Sequence, residues 1–183
     1  TTALPTLSFD GASLRLIRQS DAGVQVVVQG SGEAALEVAL QQAAVRYPGR
    51  FSAFVGYDEG RAHRILAGSD ALLMPSRFEP CGLTQLYAMR YGTVPVVRCT
   101  GGLADTVEDV EASKRRGQVG TGICFEGSTA KALTQAVRRL LALFATPEAW
   151  SDVQRQAMGK DWSWRRPAQE YVSLYRELTS HPQ

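Results

Sequence analysis

Short, nearly unbroken apolar runs, each followed by a stretch with helical spacing, constrain this chain more than any other feature. Val24–Val28, Phe51–Val55, Ala71–Met74, Val94–Val97 and Gly122–Phe125 read as strands. Only a strand buried on both faces can be apolar at successive positions, and parallel sheets sandwiched between helices have such strands. Strands alternating with helices therefore imply an α/β fold with a doubly wound parallel sheet, Rossmann-like in architecture. Between the runs, Leu36, Ala39, Leu40 and Ala43 share one helical face, with Ser31 expected as the cap. Tyr47-Pro48-Gly49 stops that helix. Helices are also expected over Glu59–Ala67, over Leu83–Tyr91 with Gly92 just past its end, over Thr129–Phe144, and from Thr146-Pro147 onward. A last helix spans Pro167–Leu178, with Tyr171, Val172, Leu174, Tyr175 and Leu178 expected to pack inward. The polar stretch Glu111–Gly120 is expected to be a mobile surface loop.

Composition narrows the class further. The 183 residues suit one domain, 1–183, able to bury its own core. Hydrophobic residues make up 44% and charged residues 21%, the balance of an ordinary globular protein. No apolar run reaches the ~20 residues of a bilayer span, and Thr1-Thr2-Ala3-Leu4-Pro5 lacks a secretory start, so a cytoplasmic setting is expected. A net charge of +2 is too small to argue for a nucleic-acid or membrane surface. Cys81, Cys99 and Cys124 contain no C-x-x-C pair and read as reduced thiols. With only His63 and His181 beside them, no metal site is expected. His63 lies in a helical pattern and reads as structural.

In doubly wound sheets ligands bind in the crevice beyond the carboxyl ends of the strands. The loops there are Gly30–Gly32, Tyr57, Pro75–Gly82 and Thr100–Gly102. In Met74–Thr84 a strand ends, a polar loop turns, and a helix opens at Gly82-Leu83-Thr84. Its free N–H groups and positive dipole end suit an anion. Gly82 permits close approach, Thr84 offers a hydroxyl, and Glu79 brings a carboxylate suited to sugar hydroxyls or to developing positive charge. Spacing alone equally allows Glu79 to be a surface acid and Gly82 a plain turn. The same holds for Thr100–Val107, where Gly101-Gly102 lets backbone meet a ligand or simply makes a tight turn.

The run Pro75-Ser-Arg-Phe-Glu-Pro-Cys-Gly-Leu-Thr-Gln-Leu-Tyr-Ala-Met-Arg-Tyr-Gly-Thr-Val-Pro-Val-Val97, followed by Thr100-Gly-Gly-Leu-Ala-Asp-Thr-Val107, closely resembles bacterial glycogen synthases and plant starch synthases. Val55-Gly56-Tyr57, Gly122–Glu126 and Trp162-Ser163-Trp164 extend the resemblance from about Val24 to Leu178. It implies a retaining glucosyltransferase of the two-domain GT-B type, acting on ADP-glucose and an α-1,4-glucan, with this chain as the second domain. By position, Glu79 would contact the transferred glucose as the catalytic carboxylate, and the backbone of Cys81 and Gly82 its hydroxyls. Leu83 and Thr84 would receive the diphosphate, Tyr57 would lie against the adenine, Ser76 and Arg77 would shape the pocket, and Gly101 and Gly102 would line its far side. No cofactor or metal is implied, because the helix dipole and basic side chains can neutralise the leaving group.

Two departures stand against that pattern. The family opens this domain with a strand, Arg-Leu-x-x-Gln-Lys-Gly and a long helix. Here Arg15-Leu16-Ile17-Arg18-Gln19 fits in part, but Ser20 stands at the Lys and Val24 begins the next strand almost at once. A parallel crossover needs about a dozen residues or more. Either Leu14-Arg15 ends a strand that no parallel crossover can follow, or Leu4–Phe9 is the strand and Gly11–Gln19 a shortened helix. Arg15 is carried as a candidate donor contact. The second departure is the first domain, whose Lys-x-Gly-Gly-Leu signature is absent. The chain alone is therefore expected to bind nucleotide weakly and transfer little glucose. A non-catalytic nucleotide- or glucan-binding remnant, or half of another GT-B enzyme, remains open.

Overall fold

The computed structural model describes residues 12–16 and 23–180. Six strands form one sheet in the order β3-β2-β1-β4-β5-β6. They are β1 (Ala12–Leu16), β2 (Val24–Gly30), β3 (Phe51–Val55), β4 (Ala71–Met74), β5 (Val94–Arg98) and β6 (Ile123–Phe125). The helices are α1 (Ala34–Arg46), α2 (Glu59–Ala67), α3 (Thr84–Tyr91), α4 (Gly101–Thr106), α5 (Val110–Arg115), α6 (Ala130–Phe144), α7 (Pro147–Met158) and α8 (Arg165–Ser180).

Period-two alternation sends the side chains of β4, β5 and β6 to two cores. Ala71, Leu73, Val94, Val96, Ile123 and Phe125 meet Ala136 and Leu140 of α6 and Trp150 and Val153 of α7 on one face. Leu72, Met74 and Val97 meet Leu66 of α2, Ala88 of α3 and Leu103 of α4 on the other. All four residues of β4 are buried, as are Val94–Val97 of β5. That two-sided burial explains why these strands carry no polar alternation.

The expected parallel pairing holds for β2 with β3, β4 with β5, and β5 with β6. Strand β1 departs from it, running antiparallel to both β2 and β4 in the middle of the sheet. Seven residues, 17–23, separate β1 from β2, too few for a parallel crossover and enough for an antiparallel return. Residues 12–16 are thus strand rather than part of a helix over Gly11–Gln19. The alternative strand Leu4–Phe9 lies outside the described residues.

Three other expectations need correction. Ser31 does not cap α1; Glu33 occupies that position without a side-chain bond, while Gly32 N–H donates to Glu37 at 2.9 Å. The stretch expected as a mobile loop contains α5, capped by the Asp109 carboxylate through the N–H groups of Glu111 and Ala112. Helix α8 buries none of its residues. Tyr171, Val172, Leu174, Tyr175 and Leu178 are exposed, because no other described element covers that stripe.

Candidate functional site

The loops after β4 and β5 are built against each other. Gly82 holds left-handed backbone, φ 73°, and a Cβ there would lie 2.5 Å from Gln85 Oε1. Gly101, φ 46°, opens α4; a Cβ on it would overlap the Glu79 carbonyl oxygen, and one on Gly102 would overlap that of Cys81. Only hydrogens fit at these three positions. Gly102 N–H donates to the Glu79 carbonyl at 3.1 Å. The Glu79–Gly82 and Gly101–Gly102 segments therefore touch through backbone alone, which explains both glycine clusters.

Two side chains that sequence reading passed over hold this arrangement. Gln85, fully buried at 0% exposure, donates from Nε2 to the carbonyls of Cys81 (3.1 Å) and Gly82 (2.9 Å) and to Thr106 Oγ1 (3.2 Å). Thr106 in turn donates to the Gly102 carbonyl at 2.6 Å. Arg98, at the end of β5, donates from Nε to the Ser76 carbonyl at 2.6 Å and from Nη2 to that of Arg77. The available signal was a glutamine on the face of α3 that otherwise buries Ala88 and Met89.

What the arrangement leaves free is chemically specific. The N–H groups of Gly82, Leu83 and Thr84 donate to no acceptor among the described residues, and Leu83 caps α3 without a side-chain bond. Three uncommitted amides at a helix start form an anion site. The half-buried Glu79 carboxylate has no hydrogen bond or ion pair among the described residues. Leu83 and Cys81 are exposed. Arg77 is exposed, while the Ser76 hydroxyl is buried without a partner among the described residues.

Beside α3 opens a cavity of about 350 Å³, lined among others by Gln29, Gly30, Ser31, Tyr57, Leu72 and Thr84. Its size falls in the range of small-ligand sites. Tyr57, 87% exposed, follows β3, and Thr84 starts α3, so the cavity joins Tyr57 to the free amides. Gln29 Nε2 donates to the Asp58 carbonyl at 2.7 Å, which fixes the loop after Tyr57.

Arg15 is the predicted site residue that does not join the others. In β1 its Cα pairs with Gln25, and Leu14 pairs with Ala71. Its backbone therefore sits at the amino ends of β2 and β4, away from the loops that carry Tyr57 and Glu79. No group of three or more His, Cys, Asp or Glu side chains able to hold a metal occurs among the described residues. No helix among them is long and apolar enough to cross a membrane.

Uncommitted amides at a helix start, a free carboxylate beside them and an adjoining cavity on a doubly wound α/β sheet define a domain suited to an anionic ligand. The chain belongs to the glycosyl transferases group 1 family, whose model matches residues 12–157. It is 54% identical over 155 residues to a glycogen synthase of Anaeromyxobacter dehalogenans, covering 85% of this chain and 32% of that protein. It is also 53% identical over 154 residues to glycogen synthase 1 of Methylococcus capsulatus, covering 84% and 31%. The catalytic domain of starch synthase IV from Arabidopsis thaliana, solved bound to ADP and acarbose, superposes with a TM-score of 0.70 at 27% identity over 91% of this chain and 40% of that one. Sucrose-phosphate synthase from Thermosynechococcus elongatus superposes with a TM-score of 0.59 at 25% identity, covering 84% and 38%. The resemblance carried by Pro75–Val97 and Thr100–Val107 is thus borne out, as is the GT-B class. The chain spans about a third of the length of the glycogen synthases it matches.

Proposed function

We propose that this chain is the donor-binding half of a glycogen or starch synthase, transferring glucose from ADP-glucose to an α-1,4-glucan with retention. The observation that carries the reading is the set of free amides at Gly82, Leu83 and Thr84 beside the uncommitted Glu79 carboxylate. In this reading the amides bind the diphosphate, Tyr57 covers the adenine in the adjoining cavity, and Glu79 supports charge on the transferred glucose. Ser76, Arg77, Gly101 and Gly102 shape the sugar pocket. The helix dipole and backbone N–H groups stabilise the leaving diphosphate without a metal. A cytoplasmic setting belongs to the same reading.

The acceptor side would come from a separate GT-B first domain, since positioning two substrates is a large share of catalysis. The exposed apolar stripe of α8 and the threefold greater length of the relatives support such a partner. The test is complementation: this chain is mixed with the first domain of the Anaeromyxobacter dehalogenans enzyme, and glucose transfer from ADP-glucose to glycogen is assayed. Transfer that vanishes in Glu79→Gln, while ADP still binds, is expected. Transfer unchanged by that substitution would overturn the role of Glu79.

One observation favours a second reading. Placing Arg15 at the far end of the sheet, with Ser20 in place of the family's Lys, removes two cations from the diphosphate. Absence of ADP binding at millimolar concentration, read by calorimetry, would point to a remnant that has lost the donor site, such as one that binds glucan.

A further inference from the structure

Resting on that reading of the site, we infer that Gln85 is a positioning residue: its buried amide sets the anion-binding turn against the glycine turn of α4. The argument starts from burial. A glutamine with no exposure must satisfy its amide inside the protein or lose stability. Gln85 uses its Nε2 on three acceptors drawn from two places: the adjacent carbonyls of Cys81 and Gly82 in one turn, and the hydroxyl of Thr106 in α4.

Those acceptors decide what it does. Accepting at the Cys81 and Gly82 carbonyls orients the two peptide planes that carry the N–H groups of Gly82 and Leu83, because carbonyl and following N–H share one plane. Two of the three free amides therefore point where Gln85 holds their carbonyls. Thr106, the third acceptor, donates onward to the Gly102 carbonyl, and Gly102 N–H closes the ring on Glu79. The amide turn, the Glu79 backbone and the Gly101–Gly102 turn form one hydrogen-bonded circuit through Gln85. Its Oε1, buried without a partner among the described residues, lies against the bare Cα of Gly82. An accepted desolvation cost at that atom is what a residue kept for its donors rather than for packing would show.

A packing role and a positioning role predict different losses. Gln85→Met keeps the volume and removes the donors; Thr106→Val breaks only the links through the hydroxyl, from Gln85 and to the Gly102 carbonyl, and is milder should the first variant unfold. The 183-residue chain is titrated with ADP and, separately, with adenosine, following backbone amide NMR shifts. Free turn amides contact the diphosphate and not the nucleoside. Positioning therefore predicts that ADP affinity falls on the order of tenfold in Gln85→Met and less in Thr106→Val, with adenosine affinity unchanged. Hydrogen exchange at the Gly102 amide should quicken in both variants. Equal losses for ADP and adenosine, or an unchanged ADP-to-adenosine ratio, overturn the positioning role. If the unsubstituted chain binds adenosine but gains nothing from the diphosphate, the proposed anion site itself fails, and the inference with it.

Discussion

Gly101 and Gly117 offer a controlled measurement of how tightly the two site turns are packed. Both hold left-handed backbone, with φ 46° and 69°, so alanine at either position meets the same conformational penalty, about 1 kcal/mol. They differ only in what surrounds them. Nothing lies within 4 Å of a Cβ built on Gly117, whereas one on Gly101 falls inside the Glu79 carbonyl. Restoring ordinary contact at 3.4 Å requires the Glu79 turn to retreat by roughly 1 Å or more. That retreat stretches the Gly102 N–H bond to the same carbonyl, now 3.1 Å. Overpacking of this kind costs about 1–3 kcal/mol, and the weakened bond up to about 1 kcal/mol more. Gly101→Ala should therefore lose about 1–4 kcal/mol beyond Gly117→Ala. For a domain of this size the gap corresponds to about 2–16 °C in Tm. Urea and thermal denaturation of the two variants read it directly. Equal midpoints would mean that the Glu79 turn yields freely, and the reasoning about a preorganised site would be wrong.

Asp109 → Ala should cost about 2–4 kcal/mol in urea denaturation. It removes the α5 cap and leaves the Cys124 N–H (2.9 Å) and Arg139 Nη2 (2.7 Å) without their acceptor. Burial disfavours the Asp109 carboxylate, but the hydrogen bonds from Cys124, Arg139 and Ala112 outweigh it and hold its pKa below the usual aspartate value. A depressed folded-state pKa gives stability that is complete above the unfolded value, about 3.9, and lost as pH falls through the folded one. The gap between wild type and variant should thus narrow below about pH 4, as denaturation at pH 3 and pH 7 would reveal. Leu140→Ala, at a fully buried position of α6, should cost about 2–5 kcal/mol. Tyr175→Ala on the exposed face of α8 should stay within about 0.5 kcal/mol by the same assay.

Much of the fold was legible because strands buried on both faces advertise themselves. Ala71–Met74, buried at all four positions, carries its boundaries in a plain apolar run, and Gly92 ends α3 in left-handed backbone as its position implies. Helix α5 was hidden because what stabilises it is not local. Four of its six residues are polar, and its cap Asp109 is held by Cys124 and Arg139, 15 and 30 residues away. Helix α8 failed in the other direction. Periodicity reports that one face is apolar, and it is silent on whether anything in the chain covers that face. At the site, the glycines and Glu79 stood out as residue types, while Gln85 and Arg98 did not. Their roles are to hold carbonyls whose positions exist only after folding.

The direction of β1 follows from chain length, and it has a consequence for affinity that can be reversed. With Ala12 level with Leu73 and Leu14 level with Ala71, Arg15 falls one step beyond the amino end of β4. The anion-binding turn leaves the opposite end, after Met74. Four residue steps separate the level of Arg15 from that of Met74, about 13 Å at strand rise. In a parallel β1 the same residue would lie near the carboxyl ends, beside the amides. Replacing residues 17–23 with a helical crossover of about fifteen residues permits that pairing, and the right-handed rule governs how it closes. A guanidinium brought to the diphosphate adds a charge-assisted bond of about 1.5–3 kcal/mol, which corresponds to roughly ten- to a hundredfold tighter ADP binding. The lengthened chain should bind ADP tighter by that factor, and Arg15→Ala in it should return the affinity to that of the short-crossover chain. Tightening that survives Arg15→Ala, or none at all, would show that strand direction does not govern the phosphate charge.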